Sequence, residues 1–389
     1  MAQKKSKPEL KIKKHYEIII LCFFILIVIF NLFSAIFQAK NKYFTFNYWS
    51  NFQLLKSTYQ RSQYVSKHPT AIIPDEIVNS YAAGEYIKGT NPVLVAADTP
   101  PLGRYLIGLS IFIFNNENIV TLVFSVLALT LMFFIGRQIF SSSLLAILSP
   151  LIFSSEPIFK NQLVYSPLLD IIQLVFLLGC FYYFNKGLNS KKFILYFAVA
   201  NLFLGLFIST KFFITGLTIA AAFYLILILR KEKERIKIIT LTLPISVLVL
   251  LLSYARLFAF HYSLKSILGV QKYVFLYHKS QLILPLSIWP LLLFNRWYVW
   301  YGKNSISFDH QWLISWPIIT IISIVAVVLY VLNKIPKNKN VEVLMAWVIF
   351  YVLFFSFGQI SSRYFVILLP VLYIISLYGI VSIYNKVKK

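Results

Sequence analysis

Long apolar runs separated by short polar segments dominate the hydrophobic pattern of this chain. About ten of these runs approach the length that an α-helix needs to cross roughly 30 Å of hydrocarbon. We predict helices near residues 17–37, 119–136, 142–159, 164–184, 194–209, 212–229, 236–255, 312–332, 342–357 and 364–384. Two longer hydrophilic segments, at about 38–118 and about 256–311, interrupt the series. The pattern predicts an all-α polytopic membrane protein.

The distribution of basic residues predicts how the helices are oriented. The first run, from Glu17 to Phe37, is too long for a cleaved signal peptide, so we expect it to remain as an anchor. Short basic segments alternate along the chain, around Lys4 to Lys14, Arg137, Lys186 to Lys192, Arg230 to Lys237, Lys334 to Lys339 and Lys386 to Lys389. The positive-inside rule therefore places both termini in the cytoplasm and both long segments on the opposite side.

We divide the chain into three parts on this basis. Residues 1–15 form a basic cytoplasmic tail, and residues 16–255 form an N-terminal transmembrane module that includes the outer loop 38–118. Residues 256–389 contain the second outer loop and the C-terminal transmembrane helices. We expect the catalytic residues mainly in the N-terminal module, because long loops in a helical bundle are usually functional.

Composition supports the membrane class. With 59% hydrophobic and 13% charged residues, the chain is not a soluble globular protein. A net charge of +24 would suggest a nucleic-acid partner in a soluble protein, but here the basic residues lie at the ends of apolar runs. We therefore predict a bilayer environment and no nucleic acid. Cys22 and Cys180 lie within apolar runs, which favours neither a disulfide nor a metal site.

Each long outer segment contains a further apolar stretch. Leu102 to Phe114 is too short to span a bilayer and follows Pro100-Pro101, so we predict an interfacial helix there. Leu282 to Trp300 is interrupted by prolines, and it is either another interfacial helix or an eleventh span.

The acidic residues indicate where chemistry could occur. The four aspartates, Asp75, Asp98, Asp170 and Asp309, all fall on or near the predicted non-cytoplasmic side. Asp75-Glu76 could instead cap a loop helix that begins near Ile77, since acids are favoured at helix N-termini. Asp170 lies one turn inside a predicted span, where an ionisable residue is costly unless paired. It is either active-site support or part of a structural hydrogen bond.

Several of these motifs together resemble a known family. Asp75-Glu76, Asn91-Pro92 and Pro100-Pro101-Leu102-Gly103-Arg104 are similar to the first outer loop of protein O-mannosyltransferases, which are GT-C membrane glycosyltransferases. The segments Gly205 to Lys211, with Phe212 and Gly216, and Ser287 to Leu293 also resemble family motifs.

The sequence departs from the family at three positions. The arginine expected before Asp170 is missing, and Lys160 could substitute for it. Thr99 replaces a histidine, so that Asp98 could take over its polar role, and Arg104 replaces the usual lysine.

The resemblance implies a fold and an activity. It implies a GT-C bundle of about ten or eleven transmembrane helices, with a long first outer loop that carries interfacial helices. The implied reaction moves a hexose, such as mannose, from a polyprenyl-phosphate carrier to a hydroxyl of a protein or glycan acceptor on the non-cytoplasmic face. A direct displacement would invert the configuration of the anomeric carbon.

The resemblance also implies roles for individual residues. Asp75 would be the general base and Glu76 would orient it or bind the acceptor; one base suffices because the departing phosphate is already a stable anion. Binding of the lipid phosphate requires cations, and the candidates are Arg104, Lys211 and Arg363, with Asp98 and Asp170 beside them. Arg363 could instead be an arginine that snorkels at the end of a span.

Other interpretations remain open. His261, His278 and His310 have no metal-site spacing, and we predict no tightly bound metal; carboxylates that face a phosphate could still recruit a divalent cation. The alternative enzyme is an aminoarabinose-transferase-like protein that acts on lipid A or cell-wall glycan. Outside enzymes, a transporter of lipid-linked sugars or a non-catalytic membrane subunit would share the composition.

Overall fold

The computed structural model describes residues 8–66, 68–279, 284–299, 305–358 and 360–388. The helices of the first part are α1 (Pro8–Gln38), α2 (Lys40–Phe44), α3 (Tyr48–Gln60), α4 (Asp75–Ile87), α5 (Leu102–Phe114), α6 (Ile119–Ile139), α7 (Ser143–Ser155), α8 (Pro157–Val164), α9 (Leu169–Asn189) and α10 (Phe193–Ile208). They are followed by α11 (Gly216–Leu229), α12 (Lys233–Thr242), α13 (Pro244–Ser253), α14 (Ala255–Ala259), α15 (Leu264–Lys279), α16 (Ile288–Phe294), α17 (Ser315–Val331), α18 (Lys339–Phe355) and α19 (Phe365–Val387).

Other regular structure is sparse within these ranges. Short 3-10 helices cover Pro92–Leu94, Phe213–Thr215 and Ser362–Tyr364. Two strands of two residues each, β1 (Trp297–Tyr298) and β2 (Ile306–Ser307), pair antiparallel in the second outer segment. The prediction of an all-α architecture is confirmed.

Each of the ten predicted apolar runs forms a helix or a pair of helices. The helical stretches that are long and apolar enough to cross a membrane are Tyr16–Gln38, Ile119–Ile139, Leu169–Asn189, Lys233–Ser253 and Ser362–Val387. The bent pair α7 and α8 would be a sixth, and α5, α10, α17 and Phe213–Leu229 are shorter apolar helices. The chain is an integral multi-pass membrane protein, while its number of crossings stays a prediction.

Two predicted boundaries are wrong, and prolines explain both. The span predicted at 164–184 begins at Leu169, because Pro167 disfavours helical geometry in the residue before it. The span predicted at 142–159 is divided at Glu156, where Pro157 starts α8 at an angle of 60° to α7. As a result Asp170 lies in the first turn of α9, where the helix dipole favours a negative charge.

Two helices form the centre of the bundle. The most apolar windows of α9 and α19 are 83% and 78% buried, whereas that of α1 is only 11% buried. α9 packs against α6 and α10, and α19 packs against α17 and α18. The N-terminal end of α9 carries Asp170, and Arg363 lies in the 3-10 helix immediately before α19.

The first outer segment is folded onto this centre. α5 has the bounds predicted for an interfacial helix, and it ends at Asn115 in the left-handed conformation (φ 52°). α5 packs against α4, with Gly108 so close to α4 that an added Cβ would lie 3.3 Å from the Ala83 carbonyl oxygen. α5 also contacts α9, and side chains of both α4 and α5 lie beside Asp170.

The structure of the second long hydrophilic segment differs from one of the two alternatives predicted for Leu282 to Trp300. In the described part of Leu282 to Trp300, which excludes residues 282, 283 and 300, the only helix is α16. Its 7 residues extend about 10 Å, so the alternative of an eleventh span is wrong for this part. Upstream, α14 and α15 form a small hydrophobic core with residues of the first outer segment and of the turn before α11, namely Tyr254, Leu257, Ile267, Val270, Val274, Val93, Phe212 and Phe213.

Candidate active site

The N-terminus of α4 positions Asp75. Pro74 is extended (φ −77°, ψ 165°) and precedes the first helical turn, which contains both Asp75 and Glu76. The predicted capping arrangement is wrong, because the helix begins at Asp75 and not near Ile77, its N-cap is Pro74, and both acids lie inside the first turn. Asp75 Oδ2 lies 2.6 Å from Arg363 Nη2, and 38% of the Asp75 side chain is exposed. The carboxylate is both paired and accessible.

Arg104 holds the first outer segment together. Its side chain is 2% exposed, Nη2 donates to Asp98 Oδ1 at 2.9 Å, and Nε donates to Asn79 Oδ1 at 3.2 Å. A further donor, Nη1, bonds to the carbonyl oxygen of Ala96. Arg104 thus connects α4, α5 and the loop between them, and sequence reasoning missed Asn79 as its partner.

Asp170 forms an ion pair with Lys211, which lies in the turn before α11. Lys211 Nζ donates to Asp170 Oδ1, and the exposed fractions of the two side chains are 12% and 2%. The same ammonium lies 5.0 Å from the centre of the Tyr364 ring. Lys211, and not Lys160, therefore compensates the charge of Asp170.

These three pairs meet in one polar recess. It is lined by Tyr64, Asp75, Val78, Asn79, Asp98, Thr99, Arg104, Leu168, Leu169, Asp170 and Lys211. Arg363 joins through its contact with Asp75, whereas Glu76 is not among the lining residues. The free volume is about 20 Å³, enough for about one water molecule. The structure brings together six of the seven residues that the sequence singled out.

The two adjacent acids of α4 have opposite electrostatic environments. Burial raises the pKa of Asp75, but the positive charges of Arg363, Lys211 and Arg104 outweigh this effect and hold that pKa below its ordinary value. Burial raises the pKa of Glu76, and the attraction of Lys42 only partly opposes it. Asp75 is therefore ionised at neutral pH.

An apolar cavity of about 690 Å³ lies beside the polar recess. Its walls come mainly from α11, α18 and the turn before α11, and they include Phe212, Leu217, Phe350, Phe354, Tyr364 and Ile367. Lys211 lines both this apolar cavity and the polar recess. The Lys211 ammonium therefore lies at the boundary between the apolar cavity and the recess that contains the aspartates.

Sequence reasoning missed Glu117, between α5 and α6. This side chain is 5% exposed, and its Oε1 accepts a hydrogen bond from Ser80 Oγ at 3.1 Å. Burial raises the pKa of Glu117 to about 7, against the opposing effects of its hydrogen bonds and of Lys42. The available signal was a single acid between two apolar runs.

Sequence reasoning also missed Glu156, at the break between α7 and α8. Its carboxylate accepts hydrogen bonds from Ser315 Oγ and Trp316 Nε1, each at 3.0 Å, and from the Tyr373 hydroxyl. It thereby connects the start of α8 to α17 and α19. The signal was available, because an acid inside a predicted span needs partners.

No group of three or more His, Cys, Asp or Glu side chains close enough to hold a metal occurs in the described residues. The side chain of His278 lies outside them. The expectation of no tightly bound metal stays a prediction.

Known proteins resemble this chain in two ways: a family model matches part of its sequence, and solved structures have a similar fold. Residues 98–255 match the family model described as dolichyl-phosphate-mannose-protein mannosyltransferase. A search of curated proteins gives no significant match. The resemblance to protein O-mannosyltransferases is confirmed over the matched residues.

Solved structures of ArnT and AglB have a similar fold. ArnT from Cupriavidus metallidurans bound to undecaprenyl phosphate is similar with a TM-score of 0.58 at 12% identity, over 85% of this chain and 59% of that chain. ArnT in the apo state gives 0.57 at 13% identity, over 87% and 59%.

The archaeal oligosaccharyltransferase AglB from Archaeoglobus fulgidus, in complex with an inhibitory peptide and a dolichol-phosphate, gives 0.55 at 13% identity, over 94% and 50%. This chain thus spans between half and three fifths of the length of these structures, and it has their fold.

Proposed function

We propose that the protein is a membrane glycosyltransferase that transfers a hexose, such as mannose, from a polyprenyl-phosphate carrier to a hydroxyl of a protein or glycan. One observation carries this proposal, namely that Lys211 joins the polar recess to the apolar cavity. A lipid-linked sugar phosphate has the same division, with a hydrocarbon chain, an anionic phosphate and a polar sugar. The lipid phosphates in the structures of ArnT and AglB support this class of donor.

The donor would bind with its lipid in the apolar cavity and its phosphate near Lys211 and Arg363. The polar recess is nearly closed, with about 20 Å³ free, so a sugar enters only if ion pairs part. A phosphate can take over the cations that now pair with Asp170 and Asp75, because guanidinium and ammonium groups bind phosphate well. Arg104 stays with Asp98 and Asn79 and holds the loop.

The chemical step uses Asp75 as the base. The acceptor oxygen attacks the anomeric carbon, and the bond between that carbon and the phosphate oxygen breaks. The phosphate leaves as an anion stabilised by Lys211 and Arg363, and Asp75 takes the proton of the acceptor hydroxyl. Withdrawal of Arg363 towards the phosphate makes Asp75 more basic when the proton must be taken. Glu76 orients Asp75 or contacts the acceptor from the outer side of the turn.

A single displacement of this kind inverts the anomeric configuration. We expect the product from a β-linked donor to be α-linked, which NMR of the purified product can determine. Retention would contradict the proposed one-base mechanism, because it requires two displacements or a different nucleophile.

The proposed orientation places the site on the non-cytoplasmic face. Asp75, Asp170, Lys211 and Arg363 meet at one end of the bundle, opposite to the basic segments Lys186 to Lys192 and Lys334 to Lys339. The positive-inside rule then puts those basic segments and both termini in the cytoplasm.

The direct test supplies the protein, reconstituted in a bilayer, with polyprenyl-phosphate mannose, glucose and aminoarabinose in turn, each labelled in the sugar. We expect one carrier to lose its sugar to an acceptor from the membrane extract. If none of the three is consumed, the proposed activity is wrong. Movement of intact labelled donor across the bilayer would instead support a transporter.

A second candidate acts on lipid A or cell-wall glycan, as an aminoarabinose-transferase-like enzyme. The structural similarity to ArnT supports it, since the same division between a lipid cavity and a charged recess serves either acceptor. Fractionating the labelled product distinguishes the two, because the label appears in protein in the first case and in lipid or glycan in the second.

The pH dependence of transfer should report the environment of Asp75. The ionised carboxylate is the active form, and its pKa is held below the ordinary 3.8, so activity is lost only as the pH falls below that value. Arg363→Gln removes the largest of the charges that lower this pKa. We expect the acid limb of kcat/KM to move to higher pH, whatever the change in absolute rate.

The matched control for this shift is Arg61→Gln, which removes an exposed outer arginine that does not contact Asp75. Its acid limb should coincide with that of the wild type. An unchanged profile in Arg363→Gln would show that a group other than Asp75 limits the rate at low pH.

A further inference from the structure

Thr99 has an unsatisfied hydroxyl at the wall of the polar recess. It immediately precedes the proline pair that leads into α5, and its side chain is 8% exposed. Its Oγ1 is buried without a hydrogen-bond partner. Among the described residues that line the recess, Thr99 alone contributes such an atom.

The charged groups around Thr99 are already engaged with one another. Asp98 pairs with Arg104, Lys211 pairs with Asp170, and Asp75 pairs with Arg363. The side chain of Asn79 is also satisfied, since it accepts from Arg104 and donates to the Pro167 carbonyl oxygen at 3.4 Å. Thr99 therefore contributes to this wall a neutral hydroxyl that is buried and makes no hydrogen bond.

An unmade hydrogen bond at a buried group costs free energy, so a site that keeps one gains affinity for a ligand that completes it. A threonine hydroxyl both donates and accepts, which matches a sugar hydroxyl. The donor phosphate, in contrast, is better served by the cations of the recess.

We propose that Thr99 Oγ1 forms a hydrogen bond with one hydroxyl of the transferred sugar and thereby contributes to the choice of sugar. This assignment rests on the proposed glycosyltransferase function. It concerns the sugar of the donor, and it predicts that removal of the hydroxyl affects selectivity more than folding.

The test compares Thr99→Val with a matched control, Thr121→Val. Thr121 also has a buried, unpartnered hydroxyl, but it lies on α6 and does not line the recess. Valine keeps the shape of threonine and removes an unsatisfied polar group, so neither change should lower thermal stability. Thr99→Val should lower kcat/KM for the accepted labelled polyprenyl-phosphate hexose by roughly 10- to 100-fold, Thr99→Ser should retain most activity, and Thr121→Val should match the wild type.

Deoxy analogues of the accepted donor then identify the partner hydroxyl. With the analogue that lacks this hydroxyl, wild type and Thr99→Val should have equal kcat/KM, whereas the other deoxy donors should keep the difference. Full activity of Thr99→Val on the intact donor, or an equal loss with every deoxy donor, would overturn the assignment while leaving the proposed function in place. A wild-type protein that consumes no donor would overturn both.

Discussion

Replacing Asp75 with asparagine should lower sugar transfer by about 100- to 10,000-fold, the contribution typical of a positioned general base. Asparagine has nearly the shape of aspartate but does not take a proton at neutral pH. The expected loss is in kcat, because the acceptor hydroxyl can still bind while its proton has no acceptor. The measurement is turnover of labelled polyprenyl-phosphate sugar by reconstituted protein.

This substitution should not unfold the protein. The Asp75 side chain is 38% exposed, and ion pairs in contact with solvent contribute little to stability. A matched control is Glu85→Gln on the same helix, because Glu85 bonds to Thr90 and does not line the recess. Glu85→Gln should keep wild-type turnover. Equal turnover by Asp75→Asn would show that Asp75 is not the base and would leave its pairing with Arg363 as a structural contact.

The sequence was sufficient to predict the elements of the fold and the bounds of α5. Apolar runs have a length set by the bilayer, and the proline pair before Leu102 gives a local start signal, so α5 appears at the predicted bounds. The boundaries near Pro157 and Pro167 were missed because apolar length alone does not show where a proline divides a run.

The pairing of the charges could not be predicted in the same way. Asp75 meets Arg363 and Asp170 meets Lys211 only because the N-termini of α4, α9 and α19 and the turn before α11 lie side by side. These are contacts between distant parts of the chain, which one sequence does not specify. The surroundings of Arg104 were not predictable for the same reason. Its burial beside Asn79 favours a structural role over the predicted contact with the lipid phosphate.

Replacing Lys211 with glutamine should lower transfer by about 100- to 1000-fold, comparable with the loss of one preorganised donor that stabilises developing negative charge. Lys211 is the residue that lines both the apolar cavity and the polar recess, so the phosphate of a bound donor would lie beside it. Lys160→Gln, on the short α8, is the matched control and should retain activity.

Lys211→Gln also leaves the buried Asp170 without its cation. Breaking a buried ion pair in this way lowers the free energy of unfolding by about 3–5 kcal/mol. The double variant Asp170→Asn/Lys211→Gln removes both charges and should regain most of that thermal stability. If Lys211 binds the departing phosphate, the double variant stays inactive although it is stable, whereas Asp170→Asn alone keeps the cation and loses less activity. Recovery of transfer in the double variant would show that Lys211 serves only to neutralise Asp170.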